Sequence, residues 1–293
     1  MHAHTSQRPE IEQKYHQLYG LLKICADALL ENFEEAGPAS FRLLKENLPA
    51  IWALAMGNPG APLSQLLPRV GDFNAVPCEW YESGAKIAGT NLGWDEASTR
   101  VMNKCVIANM PASCDMVMDL GCGWGHRMGD LWLGGAPARA AYRGGERSRP
   151  GIAMIDLIGQ VLPGMDIGGF PFDFLAPDFT SVQGNPSSIC VYTYMAIEQV
   201  RYLGPAMFDK LLERFPKAEI TGVHLEPFGF QAFKPDDPNF AADREYAVAH
   251  GYNLDLFEQV SRHPRLKIVD AETGLLGQGR GNAIALLVWR RAD

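Results

Sequence analysis

The chain has 293 residues, of which 47% are hydrophobic, 20% charged and 10% aromatic, with a formal net charge of −8. This composition excludes a disordered, fibrous or collagen-like chain. The acidic balance and the lack of a basic stripe argue against nucleic acid as a partner.

The first third reads as helical. Pro9 stands where a proline opens a helix, and Ile11, Tyr15, Leu18, Leu22, Cys25, Leu29 and Phe33 follow at steps of three and four on one amphipathic face. Gly37-Pro38 ends that helix. A second apolar segment, Phe41 to Met56, is interrupted by Pro49, and Gly57-Asn58-Pro59-Gly60 breaks the chain again. Residues 57–93 are expected to be loops with short helical turns, Asp95–Met110 a further helix, and little strand is expected before residue 114.

From residue 114 short apolar runs alternate with helical stretches. Strands are predicted at Asp115–Leu120, Ala138–Gly144, Met165–Phe172, Ser188–Tyr194, Ile220–Leu225, Leu266–Asp270 and Ala283–Trp289. Helices are predicted between them, at His126–Leu133, Arg149–Leu162, Pro205–Phe215 and Ala241–His263. This alternation predicts an α/β fold with a doubly wound, mainly parallel seven-stranded sheet. No helix separates the last two runs, so the last strand is expected to be antiparallel. Residues 1–110 then form an N-terminal helical cap or lid, and residues 111–293 the main domain.

The longest apolar run, Ala283 to Trp289, is too short for a membrane span, so no membrane partner is expected. The first residues lack the basic-then-apolar layout of a secretion signal. The six cysteines form no C-x-x-C pair. A cytoplasmic protein with reduced thiols and no metal site is the expectation.

The most informative segment is Val117-Met118-Asp119-Leu120-Gly121-Cys122-Gly123-Trp124-Gly125. An apolar strand ends in an acid, glycines alternate, and a helix follows. Such a loop lets the backbone approach a ligand at the carboxyl edge of a sheet. A dinucleotide site would require G-x-G-x-x-G, but His126 occupies the third glycine's place, and Asp119 would repel a pyrophosphate. The carboxylate suits instead a ligand with an ammonium group.

Asp119 to Gly125 resembles motif I of the class I S-adenosylmethionine (SAM)-dependent methyltransferases, small-molecule type. The resemblance covers residues 112–293 and implies SAM as cofactor, held by Asp119, Gly121, Cys122, Gly123 and Gly125. It further implies that Glu146, after the second strand, takes the ribose hydroxyls. Asp173 and Phe174 would meet the adenine, and Tyr194, at the end of the fourth strand, would line the site. Phe174 fits a core aromatic equally well. Several small-molecule relatives place a histidine three residues before Glu198. Here that residue is Met195, so acid–base or orienting work falls to Glu198 and Gln199.

A second cluster is His224-Leu225-Glu226-Pro227-Phe228. Strand alternation puts His224 and Glu226 on one side, giving Glu198, His224 and Glu226 as catalytic candidates. His224 suits a hydrogen-bonded structural role as well. Paired carboxylates suggest a cationic acceptor such as an amine or guanidinium. Gln199, Tyr81 and Phe228 are the substrate candidates, Tyr81 lying in an aromatic, polar loop suited to a lid. The expected function is methyl transfer to a nitrogen or oxygen of a small molecule. A nicotinamide-dependent oxidoreductase and a non-catalytic SAM-fold regulatory module are the alternatives. The acidic surface permits a homo-oligomer without requiring one.

Overall fold

A computed structural model describes residues 9–31, 36–57, 80–82, 85–87, 94–232, 240–276 and 283–292. The N-terminal helices are α1 (Pro9–Leu30), α2 (Pro38–Gly57) and α3 (Trp94–Asn109), with a hairpin β1 (Trp80–Glu82) and β2 (Ala85–Ile87) between the last two. There follow β3 (Met116–Leu120), α4 (His126–Leu133), β4 (Ala141–Glu146), α5 (Arg149–Val161), β5 (Ile167–Pro171) and β6 (Ser188–Tyr194). The rest comprises α6 (Ala206–Arg214), β7 (Glu219–Glu226), α7 (Gly229–Ala232), α8 (Phe240–His250), α9 (Leu256–Arg262), β8 (Leu266–Leu276) and β9 (Ile284–Arg291). No helix among the described residues is long and apolar enough to cross a membrane.

The seven-stranded sheet has the order β5-β4-β3-β6-β7-β9-β8. β9 is antiparallel to both of its neighbours, and the other pairs are parallel. The chain thus winds outward from β3 in one direction and from β6 in the other. The reversal falls between these two strands, where the crevice at the carboxyl edge of such sheets receives ligands.

Both faces of the sheet are covered, and side chains alternate between them. On one face Val117, Cys190, Tyr192 and Val223 pack with Leu22 of α1, Leu44 and Leu48 of α2, Met102 of α3 and Ile155 of α5. On the other, Met116, Met118, Val191 and Trp289 pack with Phe208 and Leu211 of α6 and Val260 of α9. Gly222 has no side chain because the Trp289 indole lies against its α-carbon.

Three local expectations change. β1 and β2 form a short antiparallel ladder, Tyr81 opposite Lys86, where loop was expected. α2 runs through Pro49 without ending, its buried Leu44, Leu48 and Ile51 anchoring the turns on both sides. The single helix expected over Ala241–His263 is two. Gly251 takes the left-handed conformation (φ +73°), and Asn253 Oδ1 accepts from the amides of Asp255 and Leu256 to start α9.

Candidate active site

The glycine loop leaves the end of β3 at the winding reversal. Gly121, Gly123 and Gly125 all have left-handed φ, at +74°, +60° and +79°, a region that residues with a Cβ avoid. The loop is also closely covered. A methyl group added at Gly121 would lie 2.6 Å from Ala196 Cβ and 3.0 Å from the Phe174 ring, and one at Gly123 would meet the Tyr19 hydroxyl. The loop therefore sits between the exit of β6, the segment after β5, and α1.

Asp119 is buried and accepts a hydrogen bond from the Tyr192 hydroxyl at 2.9 Å. Loss of hydration raises its carboxyl to about 7, against the lowering effects of that bond and the Arg127 charge. Glu146 ends β4. It accepts from Gly123 N at 3.1 Å and Ser148 N at 2.8 Å, which ties the loop to the start of α5. Burial raises it too, to about 7. Phe174 lies against Gly121 and edge-on to Phe172, so it borders the loop while closing a phenylalanine cluster. Asp173 accepts from Leu175 N at 2.9 Å and faces Arg147 at 3.6 Å. The Cys122 sulfur packs toward Gly144, away from the lip, so this residue brings only its backbone to the loop.

The exit of β6 carries the second set. Met195 has φ +49°, the one positive φ outside glycine among the described residues. The chain then turns into a short 3₁₀ segment, Ile197–Gln199. Glu226, at the end of the neighbouring β7, accepts from the amides of Ala196 (3.0 Å), Ile197 (3.1 Å) and Glu198 (3.2 Å). Glu198 is 7% exposed. Its Oε1 accepts from Gln199 Nε2 at 2.8 Å, and its Oε2 is buried with no hydrogen-bond partner among the described residues. Burial, then the like charge of Glu226, raise Glu198 to about 8, and burial raises Glu226 to about 7.

This geometry revises three candidates. His224 is fully buried. It accepts at Nε2 from Trp289 Nε1 (2.8 Å), which leaves the proton on Nδ1, 3.0 Å from Thr193 Oγ1. Thr193 in turn bonds to Glu226, so the histidine is neutral, held down to about 3 by burial, and belongs to a chain that supports the loop. It does not reach the lip. Glu226 stands beside Glu198 as expected, but its carboxylate is engaged by the three amides. Phe228 is 1% exposed and stacks on Phe257, a core contact rather than a substrate wall. Gln199 is exposed and bonded to Glu198. The Tyr81 side chain lies outside the described residues, as do residues 83–84 and 88–93 of the loop region around it.

Two groups at the site were not singled out from the sequence. Tyr15, Tyr19 and Trp52 form an aromatic trio with ring centroids 5.0–6.3 Å apart, supplied by α1 and α2. Burial and the charges of Glu198 and Glu146 raise the Tyr15 hydroxyl, so both acids act on it electrostatically. The heptad-like spacing of α1 marked Tyr15 as apolar face, but not what that face covers. The other group is Arg127, whose guanidinium lies 4.8 Å from the centroid of the Tyr194 ring.

Four buried carboxyls with raised values have a consequence for stability. The folded chain keeps protons that the unfolded chain releases, so their contribution is whole below the unfolded values near 4 and is lost as pH rises through about 7 to 8. His224 acts oppositely: lowered to about 3, it costs stability as pH falls below its ordinary 6.5. Four groups outweigh one. The ligand-free protein is expected to melt at a higher temperature at about pH 6 than at about pH 8.5. Scanning calorimetry at the two values checks this, and an equal or higher melting temperature at the alkaline one contradicts it.

The strand order, the single reversed strand and the glycine loop at the winding reversal now stand together. This is the class I methyltransferase fold. No family model and no curated protein matches the chain. Solved structures with a similar fold include a SAM-dependent methyltransferase from Anabaena variabilis, 10% identical with a TM-score of 0.48, covering 100% of this chain and 99% of that one. Another is the plantazolicin methyltransferase BpumL, solved with a desmethylPZN analogue and S-adenosylhomocysteine, 13% identical with a TM-score of 0.41, covering 96% and 99%. A third is TrmN from Thermus thermophilus, 12% identical with a TM-score of 0.41; the match covers 65% of this chain and only 48% of TrmN. In this methyltransferase fold the donor set around the loop fits a cationic nucleoside better than a pyrophosphate. Asp119, Glu146 and Glu198 are buried carboxyls at the lip, and Glu198 keeps an unanswered oxygen.

Proposed function

We propose that the chain is a SAM-dependent methyltransferase that methylates a nitrogen or oxygen of a small molecule. The observation that carries this reading is the ring of buried carboxyls around a left-handed glycine loop at the winding reversal of the sheet. Asp119 would hold the ammonium group of the cofactor, Glu146 the ribose hydroxyls, and the segment Asp173-Phe174 the adenine, with the backbone of Gly121 to Gly125 beneath. Tyr194 would line the amino-acid arm. When bound, SAM supplies a methyl group already activated on a sulfonium, so the protein's task is alignment and exclusion of water.

Glu198 is assigned to the acceptor. Its unpartnered Oε2 can orient an acceptor N–H or O–H or take its proton, and a carboxyl near 8 is a competent base close to neutral pH. Glu226 fixes that carboxyl by holding three successive amides. Two coupled carboxyls behind the acceptor favour a cationic group, an amine or guanidinium, because its charge relieves their repulsion. The helices of residues 1–110 act as a cap, with Tyr15 and Tyr19 over the site.

Titration calorimetry tests the reading. SAM and S-adenosylhomocysteine are expected to bind while NAD is not. SAM binding should release protons, because a cation beside carboxyls near 7 drives their ionisation. The release appears as a binding enthalpy that varies with the ionisation enthalpy of the buffer. Folded protein that gives no heat with SAM overturns the proposal.

A further inference from the structure

We infer that the acceptor is an alkylammonium ion, seated with its charge on Glu198 and its carbon substituents against the rings of Tyr252 and Tyr15; this deepens the methyltransferase reading above and rests on it. The open oxygens at the turn after β6 come first. Glu226 has its carboxylate on the amides of Ala196, Ile197 and Glu198. Glu198 Oε1 accepts from Gln199 Nε2 at 2.8 Å. That leaves Glu198 Oε2, buried and with no hydrogen-bond partner among the described residues. A guanidinium is a planar fork that pairs with both oxygens of a carboxylate. An ammonium is a compact point charge that a single oxygen can receive. One open oxygen therefore favours the ammonium. A neutral hydroxyl would leave the buried acids without a counter-charge.

Aromatic residues from two distant parts of the chain approach the same turn. α8 ends at Gly251 in the left-handed conformation, with Tyr252 N donating to Ala247 O at 2.8 Å. The next two residues are tied to the segment just past Glu198. Asn253 Nδ2 donates to Val200 O at 2.7 Å, and Leu254 N to Arg201 O at 3.0 Å. Tyr252 is thereby held beside the turn. Its half-buried ring lies against Tyr246 and His250, with centroids 5.9 Å and 5.8 Å away. Burial, then the charge of Glu198, raises its hydroxyl to about 12. From the other side α1 supplies Tyr15, stacked on Tyr19 at 6.3 Å, and the Tyr19 hydroxyl lies against Gly123. The Tyr15 hydroxyl also responds to the charge of Glu198.

An alkylammonium carries N–H groups and, next to them, carbons that the charge makes electron-poor. A carboxylate oxygen takes the first and aromatic faces take the second. The Tyr252 hydroxyl is already bonded to Tyr246, so this residue offers its ring rather than its hydroxyl. With the ammonium in place, Oε2 can accept one of its protons. The N–H bond then breaks with its electron pair left on nitrogen, the form in which an amine is nucleophilic.

The test uses the full chain saturated with S-adenosylhomocysteine, whose own binding is measured first by titration calorimetry. Butylammonium, butylguanidinium and butan-1-ol are then titrated near neutral pH, and their dissociation constants are read by ligand-observed NMR. Butylammonium is expected to bind at least about 10-fold more tightly than either of the others, the scale of one hydrogen bond to a charged group. Tyr252→Leu should weaken butylammonium by about 3- to 30-fold and leave S-adenosylhomocysteine affinity unchanged, whereas Tyr252→Phe, which keeps the ring, should hold most of the wild-type affinity. Loaded wild-type protein that binds no butylammonium, or binds either of the other two probes as tightly, overturns the inference alone, whether or not the variants fold. A folded Tyr252→Leu protein with wild-type affinity for butylammonium also overturns it. Wild-type protein that does not bind S-adenosylhomocysteine overturns the SAM-binding reading, and this inference with it.

Discussion

Glu198→Gln is expected to lower turnover by roughly 100-fold or more while leaving SAM affinity nearly unchanged. The substitution keeps the shape, and the amide oxygen can still accept from Gln199 Nε2, as Glu198 Oε1 does at 2.8 Å. What it removes is the basicity of the oxygen that has no hydrogen-bond partner among the described residues. It also removes a titration: with Glu198 near 8, wild-type turnover should rise with pH through that value as the carboxylate forms, and the rise should vanish in the variant. Steady-state rates across pH together with SAM titrations check both statements. A variant with full turnover would end the assignment of Glu198 and leave the cofactor site standing.

Asp119→Ala is expected to weaken SAM binding by at least about 100-fold, because a charge-assisted hydrogen bond to the ammonium is lost inside a buried site. The fold should survive. The Tyr192 hydroxyl loses its acceptor, but the chain no longer has to bury a carboxyl that burial raises to about 7. Binding and melting curves measured on the same preparation separate loss of affinity from loss of structure. A variant that melts normally and binds SAM as the wild type does would remove Asp119 from the cofactor contacts.

Most of the strands and helices described after residue 114 were legible in the sequence because their signals are local. β6 and α4 begin and end where apolar runs and loop glycines predict, and the absence of a helix between the last two runs gave the antiparallel strand. The glycine loop was legible for the same reason: Asp119 to Gly125 holds its acid, its turns and its close approach within seven residues. The site was less legible wherever position depends on partners far along the chain. His224 and Glu226 share a face, as alternation requires. Only the tertiary structure reveals that Trp289, 65 residues on, occupies the histidine's Nε2. Nor does sequence reveal that Glu226 turns its oxygens to the amides of 196–198. Phe228 reads as either pocket or core, and its stack on Phe257 decides for core. Tyr19 and Arg127 carry no spacing signal, and the spacing of Tyr15 marks only an apolar face, because what these residues cover is set by the docking of α1 and α3 on the sheet.

The strand arrangement also dictates an order of assembly. β9 lies between β7 and β8, although it follows both in the chain. A ribosome therefore delivers β7 and β8 before the strand that joins them. Until then β7 has an unpaired apolar edge, and Gly222 awaits the indole that will cover it. The same late strand brings Trp289, the far end of the chain of bonds through His224 and Thr193 to Glu226. The turn after β6 is thus finished by a residue translated long after the loop it supports. A nascent chain halted before β9 would carry the glycine loop but not the completed scaffold around Glu198, and its open edge would be the place where misassociation begins.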